Sequence, residues 1–194
     1  MPSTRAHIIL AASAGLAVSA HAQVINENFD STPTGTLPAG WVDGTIAGGV
    51  MMPWAVTTAA FHSPFNSVFT DDPASVSDRT LALPPFVSQG VVTLDFWSSY
   101  ATENTFDGWT VEISLNGGAF TNIGDAPWTL NGYNNTISTA WQSPIGGQRA
   151  FSGSFATWTR HTAAIPTGIG DSVTLQFRMA SDNSVMATGV NLDD

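Results

Sequence analysis

The chain lacks cysteine and lysine. Without cysteine it forms no disulfide, and an exported protein of this kind suits a bacterial envelope or exterior better than a eukaryotic secretory route. The five basic residues are all arginines and face 15 acidic residues, which gives a formal net charge of −10. Such an acidic chain repels nucleic acid and anionic lipid, so these two partner classes are excluded, and it suits bound cations.

Long apolar runs are also scarce. The main one, residues 8–20, is shorter than the roughly 20 residues that span a bilayer. It follows Arg5 and ends at the small-x-small sequence of residues 20–22, which is the pattern of a secretory signal peptide. We therefore predict a signal peptide over 1–22 and one mature domain over 23–194. The mature protein would be secreted to the bacterial exterior, the cell surface or the periplasm.

Helical periodicity is nearly absent, and short alternating segments take its place. Residues 90–100, 109–115 and 171–182 each place apolar side chains at every second position. This period predicts antiparallel strands with one face in the core and the other in solvent. Asn-Gly-Gly within 115–120 predicts a hairpin, because Asn and Gly tolerate positive φ. The pattern indicates an all-β sandwich or barrel.

One stretch, residues 102–120, carries three carboxylates: Glu103, Asp107 and Glu112. Glycosidases use two carboxylates about 5–10 Å apart across a cleft. The retaining β-glucanases built on sandwiches carry theirs as Glu-x-Asp-x-x-Glu on one strand, a spacing that this stretch does not have. The strand period also turns Glu112 away from its apolar neighbours. We therefore interpret all three as solvated turn and strand residues and predict no catalytic residue.

Two other catalytic or metal patterns are missing from the mature chain. His62 and His161 lie far apart and stand in no zinc-binding motif, which argues against a zinc site. No Gly-x-Ser-x-Gly elbow accompanies the many serines, which argues against a serine hydrolase of that type.

Six stretches, taken in order, resemble the MAM-like jelly-roll modules of secreted bacterial proteins, a group close to the cleaved-adhesin and choice-of-anchor domains. The resemblance covers nearly all of the mature chain, and the order of the motifs is more specific than any one of them. The stretches are "NENFDSTPTGTLPAGW" (26–41, resembling the opening strand), "PWAVTT" (53–58), "SDRTLALPPF" (77–86), the central hairpin (93–124), "FSGSFATWTRHTAAIP" (151–166) and the closing hairpin (171–194).

The resemblance implies a two-sheet antiparallel jelly-roll β-sandwich, concanavalin- or MAM-like, and a non-catalytic binding or adhesion module. In such jelly rolls the first and last strands lie side by side, so carboxylates of both chain ends would gather and hold a structural Ca²⁺. The loop 69–78 offers further acids that would complete the shell or form a second site. The implied ligands are Glu27 and Asp194, then Asp193 and Asp30, and in the loop Asp71, Asp72 and Asp78.

Two departures from the family pattern bear on the end of the chain. Val190 stands where the family has an aromatic residue, and the sequence stops at Asp194, where the family continues its last strand. We therefore expect the domain to be truncated within that strand, with a C-terminal anchor or second domain downstream. Two alternatives stay open: an accessory domain of a larger secreted protease or glycosidase, and a glycoside hydrolase on the same fold.

The aromatic residues indicate where a ligand would bind. Trp41, Trp54 and Trp109 fit core positions, whereas Trp97 alternates onto the face opposite the core. The polar loop 124–144 carries three more aromatics, which either pack back against the domain or bind a carbohydrate or protein surface. These weaker ligand-binding candidates are Trp128, Tyr133 and Trp141.

Overall fold

A computed structural model describes residues 25–48 and 50–194, so the predicted signal peptide lies outside the described residues. Over these ranges the chain forms strands, turns and loops, and it has no helix that is long and apolar enough to cross a membrane. The strands are β1 (Val42–Ala47), β2 (Ala55–Thr57), β3 (Ser67–Asp72), β4 (Ser77–Ala82), β5 (Phe86–Gln89), β6 (Val92–Ala101), β7 (Gly108–Leu115), β8 (Thr121–Asn122), β9 (Trp128–Leu130), β10 (Asn135–Thr136), β11 (Arg149–Ala150), β12 (Ser154–Ile165), β13 (Ile169–Ser181) and β14 (Ala187–Asp193).

Two six-stranded antiparallel sheets form the domain. The first has the order β1-β4-β13-β7-β8, with β5 pairing the start of β13, and the second has the order β2-β3-β14-β6-β12-β9. Strands β10 and β11 pair separately. The connections β3–β4, β6–β7 and β13–β14 each carry the chain from one sheet to the other, so loops from both sheets meet at the ends of the sandwich. The predicted all-β jelly-roll sandwich is confirmed.

The core lies between the two sheets and is rich in aromatic side chains. Phe96 and Phe177, from facing sheets, meet edge to face with ring centroids 5.1 Å apart. Trp54 and Trp109 are 1% and 0% exposed, and Trp41 packs against the core from its rim. Each fully buried side chain of this size contributes roughly 1.5–3 kcal/mol to folding as an upper estimate. The predicted inward faces of the alternating strands are confirmed.

The hairpin between β7 and β8 also follows the prediction. Ile113 pairs with Thr121, and the turn passes through Asn116 at φ 53° and Gly117 at φ 74°. These left-handed conformations are the ones that Asn and Gly adopt at low cost.

The outer face of the first sheet differs from the prediction, because part of it is covered. Ile137, Ile145 and Ala150, from the segment between β9 and β12, form a small second core with Ala180 of β13. Gly108 makes this approach fit, since a Cβ there would lie 3.1 Å from Ile137 Cδ1 and 2.4 Å from a backbone oxygen. Outward side chains in and before β7 are also buried: Glu112 is 3% exposed, and Asp107, just before the strand, is 0% exposed. The interpretation of both as solvated residues was wrong.

The resemblance to an opening strand over residues 26–41 was also misleading, since the first strand of the structure begins at Val42. The segment folds as a series of turns, in which Thr36 N–H donates to Pro33 and Trp41 N–H donates to Pro38. Gly35 and Gly40 have φ of 82° and 84°. Prolines without an N–H and glycines at positive φ interrupt strand pairing.

Candidate functional site

Four acidic side chains meet at one end of the sandwich, where loops of both sheets converge. Asp72 ends β3, Glu103 and Asp107 lie in the β6–β7 connection, and Asp182 directly follows β13. Carboxylate oxygens of Glu103, Asp107 and Asp182 all lie within 4.8 Å of one another. The side chain of Asp72 lies beside that of Asp107, close enough for the charge of Asp107 to raise its pKa, which adds Asp72 to the group. These four residues are called the carboxylate cluster below.

Backbone amides hold one oxygen of each aspartate in place. Asp72 Oδ2 accepts the N–H of Glu103 at 3.3 Å, Asp107 Oδ1 accepts the N–H of Asp182, and Asp182 Oδ1 accepts the N–H of Ser184 at 2.7 Å. The three aspartates are each 0% exposed. Their other oxygens, Asp72 Oδ1, Asp107 Oδ2 and Asp182 Oδ2, are buried with no hydrogen-bond donor among the protein groups. Buried polar atoms are normally satisfied, so this concentration requires an explanation.

The electrostatics of the cluster are unfavourable for charged carboxylates. Burial, followed by the charge of Asp107, raises the pKa of Asp72 to about 9. Burial, followed by the charge of Asp182, raises the pKa of Asp107 to about 7. Burial and Asp182 also raise the pKa of Glu103. No basic side chain contributes to any of these shifts, so the described residues leave the cluster without a compensating positive charge.

The chain-end acids predicted to bind calcium occupy a different place. They hold the loop of residues 61–66: Asp193 Oδ2 accepts the N–H of His62 at 2.7 Å and of Ser63 at 3.1 Å, and Asp30 Oδ1 accepts the N–H of Phe65 and of Asn66. Burial raises the pKa of Asp193 to about 6. The carboxylates of Asp30 and Asp193 thus already have donors. Calcium at this end of the chain stays a prediction.

The remaining predicted ligands have partners of their own. Glu27 accepts the backbone N–H of Phe29 at 2.7 Å, and Asp194 contacts Nδ1 of His62 at 2.7 Å and Oγ of Ser63 at 2.8 Å. Asp71 accepts the N–H of Met52 at 2.6 Å.

Asp78, the last member of the predicted set, binds an arginine. Both its oxygens accept N–H groups of Arg178, at 2.8 and 2.7 Å, and the third donor of that guanidinium reaches Glu112 at 2.9 Å. Gln176 donates to the other oxygen of Glu112 at 2.6 Å. Of the seven predicted ligands, only Asp72 lies in the carboxylate cluster.

A second candidate site lies on the outward face of the other sheet. Trp97 projects from β6, and the ring of His62 stacks on it with centroids 3.8 Å apart and planes 13° apart. Trp158 meets His62 edge to face at 6.1 Å. Beside them, Arg160 donates two hydrogen bonds to Asp95, at 2.9 and 2.6 Å, and this pair is exposed. These five residues are called the Trp97 surface.

A groove of about 690 Å³ continues from the Trp97 surface. Trp97, Asp95 and Arg160 form part of its wall, and Leu83 and Leu94 contribute apolar lining. Strand β6 borders the groove. Its residues 92–96 pair with β12 along one edge, whereas along the other edge the pairing with β14 ends at Trp97 within the described chain.

The aromatics predicted in loop 124–144 divide into two groups. Tyr133 is 6% exposed and its hydroxyl bonds both the N–H and the C=O of Val111, at 2.8 and 3.0 Å. Trp128 packs beside Tyr133 with ring centroids 5.2 Å apart, against the main core. Only Trp141 is exposed, at 59%. For Trp128 and Tyr133 the structure shows the packing alternative.

One serine–histidine pair resembles part of a catalytic triad. Ser98 Oγ lies 2.8 Å from His161 Nε2, and His161 Nδ1 lies 2.5 Å from the carbonyl oxygen of Asn131. Ser98 is 0% and His161 3% exposed, and burial lowers the pKa of His161. A substrate has no access to this pair, whose hydrogen bonds instead satisfy buried polar groups.

Solved structures show what this arrangement is similar to. The K3 cleaved adhesin domain of Lys-gingipain from Porphyromonas gingivalis W83 aligns with a TM-score of 0.56 at 22% identity, over 89% of this chain and 97% of that one. The chain has the cleaved-adhesin type of fold. The K2 domain of Lys-gingipain aligns with a TM-score of 0.54 at 18% identity, over 87% of this chain and 93% of the domain. No protein-family model and no curated protein matches the sequence.

Proposed function

We propose that the protein is a secreted, non-catalytic binding module, stabilised by calcium, that holds a carbohydrate on the Trp97 surface. The observation that carries the proposal is the aromatic stack of His62 and Trp97 beside the exposed pair of Arg160 and Asp95. Aromatic rings offer flat apolar area at little entropic cost, and a fixed polar pair offers oriented donors and acceptors. A sugar ring presents the matching chemistry, with an apolar face of C–H groups and a rim of hydroxyls.

Hydrogen bonds within the protein orient the side chains of the Trp97 surface. His62 is fixed on Trp97 through its backbone N–H, which Asp193 accepts, and through its ring, which Asp194 contacts. Arg160 and Asp95 orient each other across neighbouring strands. Preorganised groups lose little freedom on binding, which favours affinity.

The adhesin fold and the carboxylate geometry support a binding role. The similar structures are adhesin domains by description, which favours attachment to a surface over catalysis as the role of this chain. Glu112, the carboxylate of the central strand, is bound on both oxygens by Arg178 and Gln176. It therefore has no free oxygen with which to act as an acid or nucleophile on a sugar.

A protein surface is the second candidate ligand, and two phenylalanines favour it. Phe61 and Phe65, in the loop held by Asp30 and Asp193, are 39% and 71% exposed and meet edge to face at 6.4 Å. Exposed aromatic anchors of this kind are common in protein–protein contacts.

The test is binding of the protein to soluble oligosaccharides of glucose, galactose, xylose and N-acetylglucosamine, measured by calorimetry for those that score on an array. We expect Trp97→Ala and Trp158→Ala each to weaken binding by about tenfold or more, as removal of an anchoring aromatic does. Phe120→Ala is the matched control, since Phe120 is an exposed aromatic residue outside the Trp97 surface. Equal binding by all three variants, or no binding by the wild type, would contradict the carbohydrate proposal.

A further inference from the structure

We infer that the carboxylate cluster is a Ca²⁺ site whose protein ligands are Asp72, Glu103, Asp107 and Asp182. This inference gives a location to the calcium in the proposed function and is independent of which ligand the Trp97 surface binds. It assigns the ion to a place other than the chain-end acids that the sequence indicated. Only Asp72 is common to the two ligand sets.

The unsatisfied oxygens carry the inference. Asp72 Oδ1, Asp107 Oδ2 and Asp182 Oδ2 are buried and lack a donor, while the partner oxygen of each is held by a backbone N–H. The backbone thus fixes each carboxylate with one oxygen left over. Buried carboxylates without a counter-charge are costly, and a cation among them removes that cost.

The ligand chemistry selects the ion. Glu103, Asp107 and Asp182 offer hard oxygen atoms within 4.8 Å of one another, Asp72 adds a further carboxylate beside Asp107, and neither histidine nor cysteine takes part. Ca²⁺ accepts six to eight oxygens at about 2.3–2.6 Å. Oxygens up to 4.8 Å apart fit around an ion at such distances. A Mg²⁺ ion at about 2.0–2.1 Å would need the oxygens to draw closer together and would lose more hydration.

The position of the site explains what the ion would do. Asp72 ends a strand of one sheet and Asp182 follows a strand of the other, while Glu103 and Asp107 lie in a loop that crosses between them. One ion bound to all four would join the two sheets at one end of the sandwich. In a chain without cysteine, this link would take the place of a disulfide.

The experiment compares two sets of variants by thermal unfolding in CaCl₂ and in EGTA, with Tb³⁺ luminescence as a direct readout of binding. For the wild type we expect calcium at 100 times its Kd to raise Tm by roughly 5–10 °C. Asp182→Asn and Glu103→Gln should each reduce or abolish that rise. Glu103 is half-buried, so its substitution is the less disruptive of the two and should leave a folded protein.

Glu27→Gln with Asp194→Asn is the matched control, because it neutralises two of the chain-end acids. We expect this double variant to keep the full rise in Tm and the Tb³⁺ signal. Loss of the rise in the chain-end variant, with its retention in Glu103→Gln and Asp182→Asn, would overturn the inference. A wild type without any calcium-dependent rise would overturn it too. Either result leaves the carbohydrate test, which reads oligosaccharide binding, to be judged separately.

Discussion

Two groups of buried carboxylates differ in how their charge is compensated. In the first, Asp78 and Glu112 share the guanidinium of Arg178, and Gln176 supplies a further donor. In the second, the carboxylate cluster, four acids lie together, and no basic side chain contributes to the raised pKa values of Asp72, Glu103 and Asp107. The first group is complete as the chain folds, whereas three carboxylate oxygens of the second have no donor among the described residues.

The contrast shows that burial alone does not decide whether a carboxylate lacks hydrogen-bond donors. Glu112 and Asp107 are 3% and 0% exposed, and they stand only five positions apart. What separates them is hydrogen bonding: both oxygens of Glu112 have donors, and one oxygen of Asp107 has none. The number of carboxylate oxygens without a donor therefore distinguishes the two groups better than burial does.

The largest expected effect comes from replacing Arg178, whose guanidinium binds both Asp78 and Glu112. Arg178→Met leaves Asp78 and Glu112 buried without a guanidinium, and we expect a loss of about 3–5 kcal/mol in the free energy of unfolding. This corresponds to a fall of roughly 6–20 °C in Tm for a chain of this size. Calcium should not restore the loss, because Asp78 and Glu112 are not among the calcium ligands that we propose. Thermal unfolding with and without CaCl₂ measures both points.

Arg160→Gln is the control for that experiment. Arg160 also makes a bidentate pair with an aspartate, Asp95, but the pair is exposed. Exposed pairs contribute little to stability, so the variant should unfold close to the wild-type temperature. A similar fall in Tm for both arginine variants would contradict the assigned difference between the two pairs.

The next effect is a pH dependence that calcium removes. In EGTA, Asp72 and Asp107 have folded-state pKa values of about 9 and about 7, above the ordinary value of 3.8. The folded state therefore holds protons that the unfolded state loses, and this contribution is full below about pH 4 and is lost as pH rises to about 9. We expect Tm in EGTA to fall between pH 6 and pH 9, by the equivalent of a few kcal/mol.

Saturating calcium should flatten that pH profile, since the bound ion stabilises the charged carboxylates. Tm measured at pH 6, 7, 8 and 9 in both buffers gives the comparison. A calcium-free protein that is as stable at pH 9 as at pH 6 would contradict the electrostatic description of the cluster.

The local sequence pattern was sufficient to predict the strands and the side chains that point into the core. The period of two along 171–182 and the Asn-Gly-Gly turn are set by neighbouring residues, so β13 and the β7–β8 hairpin could be predicted. The burial of Glu112 could not, because it depends on Arg178, which lies 66 residues away in sequence.

The carboxylate cluster could not be predicted from the sequence for the same reason. Asp182 meets Asp107 across 75 residues, and only the sheet crossings bring them together. The acids at strand ends, Asp72 after β3 and Asp182 after β13, were the available signal. Recognising it required knowing that both strands end at the same edge of the sandwich.

The smallest expected effect applies one chemical change to both groups. Glu112→Gln keeps the Asp78–Arg178 pair but loses one charged hydrogen bond, so we expect destabilisation of about 1 kcal/mol. Glu103→Gln removes a negative charge that faces the charge of Asp182, so in EGTA it should stabilise the protein, by about 0.5 kcal/mol because Glu103 is half-exposed and partly screened by solvent. Chemical denaturation in EGTA measures both differences. Opposite signs would support the distinction between a compensated and an uncompensated group, whereas destabilisation by both substitutions would mean that Glu103 acts mainly through its contact with Ser184.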